Sequence, residues 1–475
     1  MLGTILMTEA ALLLLPVAVA IYYGELNVIL PFAVTIGLLT GTAMLMKIKK
    51  PSSMSIFARD GYMLVALSWL FLSAFGALPF VISKSIPNFI DAFFETVSGF
   101  TTTGSTILAE VAHLPKSILF WRSFTHFIGG MGILVFVIAI LPKTDGTAMH
   151  IMRAEVPGPT VGKLVSKLRA SARILYGIYT GMTLLLTVLL IIGGMPKFDS
   201  LLNAFATAGT GGFSILNDGI GGYHSPYAEV VISIFMMLFG LNFNLYYLIL
   251  IRQGKSALKD EELHWYTGII AGATLIITIY LTVLHHPFGE SLRLSFFQVC
   301  SIISTTGFTT ADFNVWPVAT RIILLILMFV GGCVGSTGGG LKVSRIAVLV
   351  KNSVRLVRRA INPRRCDTIK INGRPVDDHT VHGITGYFAT YMLVLVVSVF
   401  IVSIDGHELT ATITSVVTCL ANVGPGLGEI GPTGNFSGFS ILSKVILSFD
   451  MLAGRLELIP IFMLFTKYAI PRKYA

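Results

Sequence analysis

A chain of 475 residues that is 54% hydrophobic and only 12% charged cannot be an ordinary water-soluble domain, in which about a quarter of residues carry charge. Lipid must be its main solvent, which excludes soluble enzymes and secreted disulfide scaffolds. The net charge of +10 is clustered in alternate loops, so membrane topology accounts for it and no nucleic-acid partner is needed.

A helix needs about 20 apolar residues to cross a bilayer. Ten segments are predicted to do so: 2–23, 26–46, 62–82, 117–141, 174–192, 228–251, 266–284, 320–350, 381–404 and 439–465. The first lacks a basic leader region and a second apolar run follows it directly, so it reads as a retained membrane helix. The eighth is interrupted by glycine. Four shorter apolar runs lie between the spans, at 90–100, 200–208, 291–304 and 410–420, each ending in a glycine-bearing segment. They are too short to cross and are expected to be re-entrant. Irregular backbone at membrane depth must be buried in protein or line water, so four such pieces imply an aqueous path.

The basic residues orient the chain. Loops 47–59, 143–173, 252–259 and 342–374, with the tail 467–473, hold most of the 34 Lys and Arg residues. Positive residues stay on the cytoplasmic side. Both termini are therefore expected inside, and all four short segments are expected to enter from outside. The 342–374 stretch can also meet anionic lipid or an acidic partner. Cys300, Cys333, Cys366 and Cys419 are far apart, with no metal-binding or disulfide spacing, and read as small packing residues.

The ends of the short segments carry the chemistry. They read Phe100-Thr101-Thr102-Thr103-Gly104-Ser105, Ala206-Thr207-Ala208-Gly209-Thr210-Gly211-Gly212, Ser304-Thr305-Thr306-Gly307-Phe308 and Ala421-Asn422-Val423-Gly424-Pro425. Each follows a spanning helix and a short helix, and precedes another spanning helix. One helix–pore-loop–helix unit, repeated four times and unable to close a pore alone, implies assembly around a shared axis. The expected fold is an all-α integral membrane protein: four such repeats around a pseudo-fourfold pore, plus an N-terminal helix pair. The expected boundaries are 1–50 for the pair and 51–150, 151–256, 257–365 and 366–475 for the repeats.

A short helix aimed inward points its carbonyl end at the axis. Glycine lets the following backbone take positive φ and turn its carbonyls to the centre. Such oxygens can replace the hydration shell of a monovalent cation, whereas magnesium holds its water too tightly. The candidate filter is Thr102, Thr103 and Gly104; Thr207, Ala208 and Gly209; Thr305, Thr306 and Gly307; and Asn422, Val423 and Gly424.

The run Asp91-Ala92-Phe93-Phe94-Glu95-Thr96-Val97-Ser98-Gly99-Phe100, continuing through Thr101-Thr102-Thr103-Gly104-Ser105-Thr106, resembles the first pore loop of the Trk/Ktr/HKT superfamily. Arg59-Asp60-Gly61, Ala66-Leu67-Ser68-Trp69-Leu70 and Phe75-Gly76-Ala77-Leu78-Pro79-Phe80 are similar to its bacterial TrkH branch. So are Gly129-Gly130-Met131-Gly132 and Gly335-Ser336-Thr337-Gly338-Gly339-Gly340-Leu341-Lys342. The resemblance covers essentially the whole chain, and the extra N-terminal helix pair favours TrkH over KtrB. It implies potassium uptake in a bacterial cytoplasmic (inner) membrane, a homodimer with one pore per subunit, and a cytosolic nucleotide-binding ring of the TrkA type. It also implies potassium as the transported ion at the filter, with no covalently bound cofactor.

Six glycines among residues 331–340 cost about 1 kcal/mol each in a helix relative to alanine, so this stretch is predicted to unwind below the filter. In the superfamily the matching piece is an intramembrane gating loop, which makes Gly335, Ser336, Thr337, Gly338, Gly339, Gly340 and Lys342 gate candidates; a tightly packed kink is the plainer reading. Leu341 separates Gly340 from Lys342, so the phosphate-loop pattern fails by one residue. Arg455, near the middle of the last span, must face water or a partner: a barrier under the filter, or a buried structural pair. Glu95 and Arg122 read as a brace for the filter. The histidines are scattered and are given no role. An ion-coupled symporter, with sodium or protons moving alongside potassium, would line its route with acids, and Glu9, outside the fourfold core, is the one obvious acid deep in a span. A membrane-embedded enzyme would need a catalytic cluster, and no zinc or serine-elbow motif is present.

Overall fold

The computed structural model describes residues 1–48, 58–132, 168–364 and 367–465. The loops around 49–57 and 143–167, the tail beyond 465, and Cys366 lie outside the described residues, as does the end of the predicted 117–141 span.

The chain opens with an antiparallel pair, α1 (Leu2–Tyr23) and α2 (Leu26–Ile48). Gly3 lies against the carbonyl of Ala43, which fixes the antiparallel packing. Gly24 ends α1 in the left-handed conformation, and the N–H of Glu25 reaches back to Ala20 O at 2.8 Å, the glycine-terminated stop expected of a helix turning sharply.

Four similar units follow. The first is α3 (Asp60–Ile82), the short α4 (Phe89–Phe100) and α5 (Lys116–Gly130). The second is α6 (Leu168–Ile192), the short α7 (Lys197–Gly209), and α8 (Pro226–Phe239) with α9 (Phe243–Leu250). The third is α10 (Glu261–Val283), the short α11 (Phe288–Ile303), α12 (Val318–Val330) and α13 (Val343–Ile361). The fourth is α14 (Asp378–Val402), the short α15 (Leu409–Ala421), and α16 (Ile441–Arg455) with α17 (Ile459–Leu464). A small hairpin, β1 (Lys370–Ile371) and β2 (Arg374–Pro375), precedes α14.

Among the described residues six helices are long and apolar enough to cross a membrane, or seven if the pair α8 and α9 is one span. Three predicted spans are not continuous helices. The 228–251 span bends by 90° between α8 and α9, where Asn242 leaves the helix and its side chain caps Asn244 N–H at 2.9 Å. The 320–350 span breaks over 331–342, where glycine makes helix expensive. The 439–465 span breaks after Arg455, with Glu457 and Leu458 at positive φ. The glycine-rich break at 331–342 was expected from the cost of glycine in a helix; the other two fall in mostly apolar runs, where isolated residues such as Asn242 and Glu457 barely lower the hydropathy.

One core runs through all the units and includes Trp69, Trp121, Phe94, Phe100, Phe297 and Met451. The outward faces of the spanning helices expose Leu184, Leu185, Val188, Leu275, Ile276, Ile279, Leu393, Val396 and Val397, as lipid-facing helices should. Cys300, Cys333 and Cys419 are buried and free.

The N-terminal pair is tied to the first unit through Glu25. Its carboxylate accepts Lys116 N–H at 2.6 Å and Ser117 N–H at 3.0 Å, serving two donors that have no intrahelical partner and placing negative charge at a helix N-terminus. Glu25→Ala is expected to lower unfolding stability in micelles by about 1–2 kcal/mol, while Glu25→Gln loses less; denaturant titration checks both.

Candidate functional site

The four short helices end in one geometry. A left-handed residue follows each: Thr102 (φ 55), Thr210 (φ 54), Thr305 (φ 59) and Asn422 (φ 55). The next N–H then reaches back five residues: Thr103 to Ser98 O at 2.9 Å, Gly211 to Ala206 O at 2.8 Å, Thr306 to Ser301 O at 2.8 Å and Val423 to Thr418 O at 2.9 Å. This is the Schellman stop. A positive-φ glycine comes next each time: Gly104, Gly212, Gly307 and Gly424. Threonine in the left-handed region costs about 1–2 kcal/mol, so three strained residues occupy matched positions, which points to a functional site.

The second turn is in a different register from the one expected. Thr207, Ala208 and Gly209 stay inside the last turn of α7, and Thr210, Gly211 and Gly212 occupy the turn. Gly209 is needed for packing rather than for φ: a Cβ there would lie 2.2 Å from His126 O. Gly212-Phe213, not Gly209, matches Gly307-Phe308 in sequence and in its positive-φ glycine.

The turns close into a ring. A Cβ on Gly104 would meet Gly211 O at 2.1 Å, one on Gly212 would meet Thr306 O at 2.0 Å, one on Gly307 would meet Val423 O at 2.0 Å, and one on Gly424 would meet Thr103 O at 2.8 Å. Each glycine thus packs on the carbonyl preceding the next glycine, in the order first, second, third, fourth and back to first. All four glycines line one open cavity, with Ser105, Phe213, Phe308 and Pro425. Ser105 Oγ donates to Gly424 O at 3.1 Å, and Asn422 Nδ2 donates to Thr103 Oγ1 and to Met451 O, each at 2.9 Å. The bonds to Gly424 O and Thr103 Oγ1 join the fourth turn to the first, and that to Met451 O ties the fourth turn to α16.

Buried polar contacts brace the ring from behind. The structure brings Glu95 and Arg122 together: Arg122 Nε donates to Glu95 Oε1 at 2.7 Å, and both residues are buried. Glu95 also accepts Ile107 N–H at 3.0 Å, and Arg122 reaches Ser214 O at 3.0 Å and stacks on Phe213 at 3.6 Å. One pair therefore holds the strands rising from the first two turns. His126, one of the scattered histidines, is buried between the same turns. Its Nε2 accepts Phe213 N–H at 3.3 Å, leaving the proton on Nδ1 to donate to Gly99 O at 2.8 Å. Elsewhere Arg293 pairs with Glu229 at 3.2 Å and Lys444 with Asp91 at 2.7 Å. Asn314 exchanges two hydrogen bonds with the backbone of Gly428. Asp450, five residues before Arg455 and on a different face of its helix, accepts from Ser398 at 2.8 Å.

The glycine-rich 331–342 segment lies directly against the ring. Gly339 N–H donates to Thr305 Oγ1 at 2.6 Å, Gly340 N–H to Ala421 O at 2.9 Å and Cys333 N–H to Gly240 O at 2.9 Å. A Cβ on Gly338 would sit 2.7 Å from Ser304 O. Lys342, at φ 79, donates its ammonium to Gly338 O. Arg455 donates to Thr337 O at 2.7 Å, Gly129 O at 2.6 Å and Gly130 O at 2.8 Å. The loop with Arg455 thus contacts all four units beneath the turns. Glu457, the nearer acid in sequence, pairs instead with Arg345 at 2.7 Å.

Comparison with known proteins adds an independent line. Residues 27–472 match the model of the TrkH family, described as cation transport proteins. The chain is 38% identical over 417 residues to the Trk system potassium uptake protein TrkH of Salmonella typhimurium, covering 86% of this chain and 85% of that protein. It is 35% identical to the TrkH of Vibrio parahaemolyticus, covering 98% and 97%. The crystal structure of the potassium transporter TrkH from Vibrio parahaemolyticus superposes with a TM-score of 0.87 at 32% identity, covering 98% of this chain and 97% of that one.

Removing one member of a buried ion pair strands the other. Arg122→Ala is therefore expected to cost about 3–5 kcal/mol, read as loss of folded protein in detergent, whereas Arg293→Ala, whose side chain is 26% exposed, should cost far less.

Proposed function

The chain belongs to the TrkH family of cation transport proteins, and from that premise we propose that it takes up potassium through a filter of main-chain carbonyls gated by the 331–342 loop. The observation that carries this reading is the closed ring of four matched turns, each glycine against the next turn's carbonyl. A ring of fixed carbonyl dipoles suits an alkali ion and repels anions. The filter residues are Thr102, Thr103 and Gly104; Thr210, Gly211 and Gly212; Thr305, Thr306 and Gly307; and Asn422, Val423 and Gly424. They replace the earlier second set of Thr207, Ala208 and Gly209. With one positive-φ glycine per turn, discrimination against sodium rests on few carbonyl layers.

The four units described above are read as pore repeats at 51–150, 151–256, 257–365 and 366–475. Below them, the loop from Gly335 to Gly340, with Lys342 and Arg455, forms the barrier. The Arg455 guanidinium adds an electrostatic obstacle to the steric one, and hydrogen bonds to all four units hold the loop and Arg455 in place. The protein is read as a homodimer in a bacterial inner membrane, both termini cytoplasmic. A nucleotide-binding ring of the TrkA type would face its basic 342–374 surface, in keeping with the clustered arginines there.

Rubidium uptake into liposomes by the purified chain tests the proposal. Serine at Gly104, Gly212, Gly307 or Gly424 should lower uptake or rubidium-over-sodium preference, while Gly209→Ser should act only through folded yield. The filter assignment is wrong if all four variants keep wild-type uptake and preference. Arg455→Ala should raise flux about tenfold, the factor matching about 1.4 kcal/mol of barrier. Flux at zero potential under imposed sodium or proton gradients separates passive permeation from symport: uptake that follows the imposed gradient would favour coupling.

A further inference from the structure

Glu262 lies in the first turn of α10 and is 9% exposed. Its Oε1 accepts two backbone N–H groups, from Val334 at 2.8 Å and from Ser344 at 3.1 Å. Val334 is near the start of the glycine-rich loop, and Ser344 is just past its end, in the first turn of α13. One oxygen therefore ties both ends of the loop to one point. The carboxylate satisfies an N-terminal donor of α13 while sitting in the first turn of its own helix, and both positions favour negative charge.

Apart from the charged donors Arg455, on Thr337 O, and Lys342, on Gly338 O, the other holds on the loop are weaker in kind. Its six glycines offer no side chains to pack, so single backbone bonds such as those of Cys333, Gly339 and Gly340 do most of the remaining work. A bond to a charged acceptor is stronger than these. The first turn of α10 is itself fixed from the exposed side. Asn372, in the turn of the β1–β2 hairpin, accepts Glu261 N–H at 2.6 Å, donates to Asp260 Oδ2 at 2.9 Å, and gives its own N–H to Glu261 Oε2 at 3.1 Å. Lys351 on α13 joins Glu261 to Lys370 O.

We propose that Glu262 is the positioning residue that holds the 331–342 loop across the path, with Asn372 fixing the helix turn from which Glu262 acts. This rests on the reading of the loop as a barrier. The two ends also meet directly, Leu341 N–H on Phe329 O at 3.0 Å and Val343 N–H on Gly332 O at 3.1 Å, but Glu262 Oε1 takes a donor from each end and fixes both to α10, so loss of this acceptor frees two donors at once.

The test uses the full chain in liposomes, with Cys300, Cys366 and Cys419 changed to Ala so that Cys333, buried on the loop, is the sole thiol. Rubidium leak and maleimide labelling of Cys333 are read together. Glu262→Ala should raise both about tenfold. Glu262→Gln, which keeps an oxygen acceptor without charge, should raise them about threefold, and exposed Asn372→Ala should fall between wild type and Glu262→Ala. Folded Glu262→Ala with wild-type leak and labelling overturns the proposal. If Glu262→Ala fails to fold, wild-type labelling in both Glu262→Gln and Asn372→Ala does so. The barrier reading is separable: if Arg455→Ala raises leak but Glu262→Ala changes neither readout, only the anchor is wrong. If labelling rises without leak, the anchor stands and the loop is not the barrier.

Discussion

Backbone that leaves a helix inside hydrocarbon has no water to bond, so every such carbonyl and N–H needs a protein partner or a water-filled path. This constraint organises the molecule. The four turns at Thr102, Thr210, Thr305 and Asn422 survive because each has the same 6→1 bond back into its helix. The 331–342 loop survives because Thr305, Ala421, Gly240 and Glu262 take its N–H groups. The glycines of the ring serve closeness as much as conformation: a side chain at Gly212 or Gly307 would overlap a neighbouring carbonyl.

The turns share backbone geometry but not side chains. Three place threonine at the left-handed position and the fourth places asparagine, a residue that tolerates that region better. Asn422 uses its amide to reach Thr103, joining the fourth turn to the first, and Met451 on α16. The braces behind the ring differ as well: an arginine–glutamate pair with a histidine, a second arginine–glutamate pair, an asparagine clasp, and a lysine–aspartate pair. The symmetry therefore lies in the main chain, and each junction between neighbours is held by its own polar chemistry.

Much of this was legible in the residues. The short apolar runs, their glycine ends, the Glu95–Arg122 pair and the unwound stretch after Val330 all follow from length, spacing and the cost of glycine in a helix. Other features were not. Gly209 and Gly212 are equivalent to any count of small residues, and only the carbonyl of His126 against one and of Thr306 against the other separates them. His126 read as a scattered histidine because its partners, Gly99 and Phe213, are backbone groups with no signature of their own. The bends after Phe239 and Arg455 fall inside runs that stay mostly apolar, with only isolated polar residues such as Asn242 and Glu457 at the break.

By itself the sequence determined that the chain lives in lipid, that four short helices dip between longer ones, and that glycine-bearing ends meet where charge cannot be wasted. These are local properties of composition and periodicity. Tertiary structure alone decided which residues form the second turn of the ring, what Arg455 holds, and that one glutamate reaches both ends of the loop. Those facts are distances between backbone atoms on segments far apart in the chain, and a distance of that kind leaves no mark on the identity of the residues it joins.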